Sequence, residues 1–350
     1  MPKIRVLIVD DAVVIRRMLS DELSADPAIE VAGLAANGRI ALAKLSQINP
    51  DLVILDVEMP ELDGLSTLRE LRKMYPKLPV IMFSALTERG AAETLDALSL
   101  GATDYFAKPT SGRDAAVRVI REELIPAIKA LCESSPNLQS TPSGNSRSPS
   151  IFAEPIGILA IGASTGGPNA LAELMTALPG DLPVPIVIVQ HMPPMFTRLL
   201  SERLSSQSPI KVEEGRSGDI LRAGHAWIAP GDFHMTVTRD GNSTRILLNQ
   251  DPPENSCRPA VDVLLRSVAR TYGAKSLAVI LTGMGQDGFR GCELIRSFGG
   301  QVLAQDEASS VVWGMPGFVA RAGLANRILP IGEMALEIVR RVRPGRGYRP

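Results

Sequence analysis

The sequence predicts an α/β protein of two domains, and three observations carry that prediction. At 350 residues the chain exceeds the size at which one hydrophobic core usually keeps growing. Short β-branched runs alternate with amphipathic helical stretches in both halves, the grammar of parallel sheets covered by helices. Between the halves, residues 134–150 read SSPNLQSTPSGNSRSPS, where Ser, Pro, Asn and Gly replace all but one aliphatic side chain and no packed element can form.

In the first half the strand-like runs are Arg5 to Val9, Leu52 to Leu55 and Val80 to Phe83, with helical periodicity over Val14 to Leu23 and Leu65 to Met74. In the second half Ile156 to Ile161, Pro185 to Val189 and Leu277 to Leu281 read as strands, each followed by a loop or helix start. The stretch from Lys211 to Leu248 differs: alternating residues and Gly-Asp or Asp-Gly turns predict antiparallel hairpins inserted in the second domain. The expected division is a doubly wound (βα)5 domain over residues 1–128, a linker over 129–152, a parallel-sheet hydrolytic domain over 153–342 and a tail over 343–350.

Composition excludes several function classes. Lys+Arg 37 against Asp+Glu 38 leaves a formal charge of −1, so no field favours nucleic acid or an anionic membrane as the main partner. The basic end (Arg340, Arg341, Arg343, Arg346, Arg349) reads as a solvated tail, because Pro and Gly interrupt it. Cys132, Cys257 and Cys292 are too scattered for a disulfide framework or a zinc pair, as in a reducing cytosol. No segment approaches the roughly 18 apolar residues of a membrane span, so a cytoplasmic protein without membrane insertion is expected, and a monomer.

In the first domain, Asp10, Asp11 and Asp56 end strand-like runs, and ligands of open parallel sheets bind beyond those ends. Three carboxylates there suit Mg²⁺, a hard cation that takes oxygen ligands and relieves their repulsion. Ser84 and Lys108 end the next two runs, where a hydroxyl and an ammonium could hold the oxygens of a phosphoryl group on Asp56. For Asp10 and Asp11 alone, capping of the helix that follows is the competing reading.

In the second domain, Gly162-Ala163-Ser164-Thr165-Gly166-Gly167 follows a strand and precedes a helix, the setting of a G-x-S-x-G nucleophile turn. Alone that pattern also fits an ordinary Gly-rich turn or a phosphate cradle. No Lys follows the glycines, however, and the next strand ends in Gln190-His191, not in the acid that would hold a ribose. His191 emerges at the same sheet edge as Ser164 and could act as its base; His225 and His234 lie in the hairpin region and read as structural or surface residues. The orienting acid is Asp287, after Leu277 to Leu281, or its rival Asp306, after Gln301 to Ala304.

On VDD at 9–11, Asp56 with Met59-Pro60 and Asp63-Gly64, Ser84-Ala85 and Lys108-Pro109, the first domain resembles the response-regulator receivers. The resemblance implies phosphorylation of Asp56 by a partner histidine kinase and Mg²⁺ held by Asp10, Asp11 and Asp56. It also implies that Ser84 and Tyr105 report the phosphorylated state beside Lys108, and that Pro109 follows a cis bond.

Through IGASTGGP, VIVQHMP, AGHAWIAPGDFHM and LTGMGQDG, the second domain resembles the catalytic domain of the chemotaxis protein-glutamate methylesterases. That resemblance implies a triad of Ser164, His191 and Asp287 with Thr165 and Met284 beside it. It implies ester hydrolysis and glutamine deamidation on chemoreceptors, with no cofactor for hydrolysis. An inhibitory receiver relieved by phosphorylation is the expected regulation.

Overall fold

A computed structural model describes residues 2–85, 87–108, 112–132 and 154–343. The chain divides between Pro136 and Asn137 into two compact units.

The first unit runs β1 (Ile4–Val9), α1 (Val13–Ser24), β2 (Ile29–Ala35), α2 (Gly38–Ile48), β3 (Leu52–Asp56), α3 (Gly64–Met74), β4 (Val80–Ala85), α4 (Glu88–Ser99) and β5 (Asp104–Lys108). It closes with α5 (Gly112–Val119), one π turn (Ile120–Leu124) and α6 (Ile125–Cys132). All pairings are parallel, in the order β2-β1-β3-β4-β5. β1 and β3 are buried almost throughout, which is why they read as continuous apolar runs. Three helices begin where their caps dictate: Asn37, Asp63 and Thr87 accept from the N–H of Ile40, Ser66 and Gly90, each satisfying a donor that the first turn leaves orphaned.

The expected linker began at residue 129, but α6 continues to Cys132. Ile128 is buried in the core of the first unit and Leu131 and Cys132 lie against it, so burial of these apolar groups extends the helix past that boundary. Pro109 and the Ser134 to Ser150 stretch lie outside the described residues.

The second unit adds β6 (Ile158–Ala163), α7 (Gly167–Ala177), β7 (Ile186–Gln190), α8 (Pro194–Gln207), β8 (Lys211–Glu214), β9 (His225–Ile228), β10 (His234–Asp240) and β11 (Ser243–Asn249). α9 (Val261–Tyr272), β12 (Ser276–Ile280), α10 (Phe289–Ser297), β13 (Gln301–Gln305), α11 (Met315–Arg321), β14 (Arg327–Leu329) and α12 (Ile331–Val342) complete it. Seven strands form one parallel sheet, β14-β13-β12-β6-β7-β9-β8.

Antiparallel pairing is confined among the described residues' sheets to β10 and β11, joined at Asp240 to Ser243. The expectation of hairpins from Lys211 onward therefore fails for β8 and β9, which pair parallel and extend the main sheet. Their connection spans residues 215–224, long enough to carry the chain back to the same edge, as a parallel pair requires.

The basic end is also more structured than expected. Arg341 bonds Glu337 and Gln301, and Arg343 lies 2.5 Å from Asp181. Their aliphatic stems and charges close the end of α12; residues 344–350 lie outside the described residues.

Candidate active site

In the second sheet the chain starts at β6, passes to β7 on one side and later to β12 on the other, so the topology switches direction between β6 and β12. Loops leaving adjacent strands diverge at such a point and open a crevice. Ser164 follows β6, His191 follows β7 and Asp287 lies on the loop after β12. Ala163 and Gln190 are register partners, so Ser164 and His191 are the next residues on neighbouring strands.

The turn after Ser164 is narrow because Gly166 and Gly167 lack side chains. Gly166 has φ +73°, a left-handed conformation that favours glycine, and a Cβ there would press on Val311 at 2.5 Å. At Gly167 a Cβ would meet the Gln190 side chain at 2.0 Å. Gln190, 2 % exposed, uses its amide to donate to the carbonyls of Ser164 (3.0 Å) and His191 (3.3 Å). One buried side chain thus ties the two strand ends together.

The imidazole of His191 is held on one side by Asp287, whose Oδ2 lies 2.8 Å from Nε2. Asp287 also accepts from the N–H of Val261 (2.6 Å), Asp262 (3.0 Å) and Gly288 (2.9 Å) and from the Asn255 amide (2.9 Å). Burial alone would raise the carboxyl pKa; His191 and these donors outweigh it and hold the pKa below the usual carboxylate range, since donors to the ionised form favour it. An ionised Asp287 accepts, so Nε2 carries the proton and Nδ1 is the ring's other face.

Cys257 Sγ lies 3.5 Å from Nδ1. No hydrogen bond joins Ser164 Oγ to His191 among the described residues. Burial works against a charged ring, but Cys257 and Asp287 more than offset it and push the His191 pKa up to about 10. Asp306, the rival acid, accepts from the N–H and hydroxyl of Ser309 and has no bond to His191 in the described structure. His234 is buried and bridges the Pro252 carbonyl and the Ala260 N–H; His225 stacks on Trp227 at 5.9 Å.

Thr165 and Met284 flank the nucleophile turn. Ser164 N–H donates to the Thr282 carbonyl at 3.0 Å, and Thr282 Oγ1 donates to the Thr165 carbonyl at 2.9 Å. Gly283 sits against Ser164 so closely that a Cβ would lie 2.8 Å from the serine Cβ.

Asn255, Cys257 and the fully buried Asp262 escaped the sequence reading. Asp262 accepts from Gly291 N–H (2.7 Å) and the Asn255 amide (3.0 Å), so it braces Asp287 from behind. Its signal was faint: one carboxylate in the apolar helix start VDVLL. A separate cleft of about 460 Å³, lined by residues including Arg198, Arg216, Arg222, His225 and Trp227, shares no lining residue with this cluster.

In the first unit, β1 and β3 flank its own switch point, and their ends deliver Asp10 and Asp56. Ligand oxygens of Asp10, Asp11 and Asp56 lie within 4.8 Å of one another; Asp11 and Asp56 line an open cleft of about 720 Å³, and Asp10 is buried beside it. Capping does not consume them: the residue before α1 is Ala12, without a side-chain cap, and Asp10 merely accepts the Ala12 N–H at 2.8 Å. Lys108 Nζ bridges Asp10 and Asp56 at 2.7 Å each. Burial pushes the Asp56 carboxyl up to about 6 against the lowering by Lys108. Ser84 is buried one strand away, its hydroxyl 3.3 Å from the Gly90 carbonyl. Tyr105 lies on β5, and burial raises its phenol pKa well above the usual value. Three oxygen ligands and a removable ammonium fit a small divalent cation.

The described residues contain no helix long and apolar enough to cross a membrane. Among the described residues Cys132, Cys257 and Cys292 form no disulfide.

Residues 6–120 match the model of the response regulator receiver domain, and residues 159–338 match that of the CheB methylesterase. A protein-glutamate methylesterase/protein-glutamine glutaminase of Trichodesmium erythraeum is 55 % identical over 98 % of this chain and 100 % of its own length. A Nocardioides protein of the same description is 52 % identical over 98 % and 96 %. The crystal structure of the Thermotoga maritima CheB methylesterase catalytic domain is similar at 41 % identity, with a TM-score of 0.52, covering 53 % of this chain and 97 % of that one.

Proposed function

The chain belongs to the CheB methylesterase family and carries a receiver domain ahead of its catalytic domain, and from that premise we propose that it is a phosphorylation-regulated hydrolase of glutamate methyl esters on chemoreceptors. It also deamidates receptor glutamine, and the two reactions together serve adaptation in chemotaxis from the cytoplasm. The observation that supports the reading is that Ser164 and His191 follow adjacent strand ends while Asp287 lies 2.8 Å from the imidazole.

In the reaction Asp287 keeps the proton on Nε2, and Nδ1 of the neutral ring takes the proton of Ser164 as its oxygen attacks the ester carbonyl. The N–H groups of Thr165 and Met284 are the donors for the resulting oxyanion. Collapse expels methanol, which takes the proton back from Nδ1. Water, deprotonated at the same nitrogen, then releases the glutamate carboxylate; an amide substrate follows the same course and expels ammonia.

A fluorophosphonate probe tests the nucleophile. It should modify Ser164, located by peptide mapping, and the labelling should vanish in His191→Ala; modification elsewhere, or undiminished labelling in that variant, rejects the assignment.

Asp56 is the phosphoryl acceptor, with a histidine kinase as donor. Asp10, Asp11 and Asp56 would hold Mg²⁺, which neutralises charge during transfer, while Lys108 and Ser84 bind phosphoryl oxygens and Tyr105 responds to them. Phosphate adds about −1.5 to −2 charges at one carboxylate, enough to reorganise the receiver and relieve inhibition of the hydrolase. Asp56→Asn should leave basal hydrolysis and abolish its stimulation by acetyl phosphate; stimulation that persists would rule out this acceptor.

A further inference from the structure

We propose that Cys257 is a positioning residue of the hydrolase: its thiol holds the Nδ1 side of His191 in a resting arrangement, and Ser164 gains its base when that nitrogen passes from sulfur to hydroxyl. The proposal rests on the reading of Ser164 as nucleophile and His191 as base, and it deepens that reading into how the site is kept idle.

An imidazole has two nitrogens, and in this structure both have partners. Asp287 takes Nε2 at 2.8 Å; Cys257 takes Nδ1 at 3.5 Å, a normal reach for sulfur. With the acid fixed on Nε2, Nδ1 is the one nitrogen that can serve Ser164, so thiol and hydroxyl compete for it. A thiol can fill either role, donating S–H to a neutral ring or, as thiolate, accepting from an imidazolium.

The thiol is delivered by a rigid turn. Glu254 and Cys257 exchange both backbone hydrogen bonds, at 3.1 and 2.9 Å. Asn255 and Ser256 between them hold φ values of 52° and 63°, a conformation that costs free energy in non-glycine residues and persists where the surroundings enforce it. Enforcement is visible: Arg266 grips Glu254 with two bonds of 2.6 and 2.5 Å, and the Asn255 amide bonds both Asp287 and Asp262. The same turn therefore braces the acid with Asn255 and occupies the base with Cys257.

The charged or titratable groups around His191 are few. Asp287 faces Nε2 and Cys257 faces Nδ1; Asp262 of α9 and Glu254 interact with Asp287. Burial opposes a charged ring, and Cys257 is the leading influence that raises its pKa. Because the base works only as neutral imidazole, loss of the thiol should move the acid limb of the reaction to lower pH.

The experiment uses the full chain and reads the pH dependence of fluorophosphonate labelling at Ser164. In Cys257→Ala the acid limb should fall by about one pH unit, which is about tenfold more labelling on the acid side relative to the plateau; Cys257→Ser should fall in the same direction. A thiol that served only packing would scale the whole profile without moving it, and an unmoved limb overturns the proposal. A second arm needs no variant of Cys257. Iodoacetamide alkylates the sulfur with loss of iodide, and the thiol proton is released to solvent. In His191→Ala the rate at Cys257 should drop, because the sulfur loses its Nδ1 partner, while Cys132 in the same sample keeps its rate. An unchanged rate at Cys257 also overturns the pairing. If the probe never labels Ser164 in the parent chain, the hydrolase reading fails instead, and the alkylation arm still decides whether Cys257 and His191 act as a pair.

Discussion

Ser164→Ala should lower methanol release from methylated receptors by about 10³-fold or more, the scale of loss when the nucleophile of a serine triad is removed. The fold should be unaffected, because Ser164 contributes to the structure through its backbone. Its N–H donates to Thr282, and its carbonyl accepts from Gly167 N–H and the Gln190 amide; alanine preserves all three. Residual activity from the oxyanion donors is expected, so the informative comparison is kcat with KM close to the parent value. Methanol release at the wild-type rate from a folded Ser164→Ala protein would mean that another group attacks the ester.

Asp287→Asn should be nearly as damaging for a different reason. The carboxylate takes four N–H donors besides His191 Nε2, and an amide can accept at one oxygen only. Its NH₂ would then face either backbone N–H groups or the Nε2 proton. The ring would turn its proton toward Nδ1 to recover a bond, which presents the wrong tautomer to Ser164. Loss of about 10⁴ in kcat follows the cost of that tautomer error in a serine triad. Stability should fall too, by roughly 1–3 kcal/mol for buried donors left unpaired. Full activity in Asp287→Asn, measured beside a thermal melt, would leave His191 without the proposed orienting partner. The same substitution at Asp306 should be mild, since its oxygen serves Ser309 and not the imidazole.

Much of this was legible because strand ends in parallel sheets have chemical consequences that motifs mark directly. Gly162 to Gly167 reads as a nucleophile turn since only small residues permit it, and the structure supplies the obstacles, Val311 and Gln190, that a Cβ would strike. Strand runs such as Leu52 to Leu55 were visible because both faces are buried. β8 and β9 were misread as hairpin strands because alternation reports a half-buried face and says nothing about the direction of the neighbour. The helical end of the first domain and the paired Arg341 and Arg343 were missed for a related reason: composition suggested exposure, while partners distant in sequence supplied burial and charge. Asn255 and Cys257 carry no local signature and Asp262 only a faint one, as their place in the site comes from reaching Asp287 and His191.

By itself the sequence determined the α/β class, the division into two domains and the family, together with the candidate nucleophile, base and acidic pocket. Those depend on periodicity and on short segments whose chemistry is local. Tertiary structure alone decided that Asp287 and not Asp306 meets the imidazole, that Gln190 ties Ser164 to His191, and that Cys257 lies against Nδ1 of the ring. Each is a contact between segments 26 to 96 residues apart, set by strand order and turn geometry, and hydrogen bonding discriminates over tenths of an ångström that no linear pattern encodes.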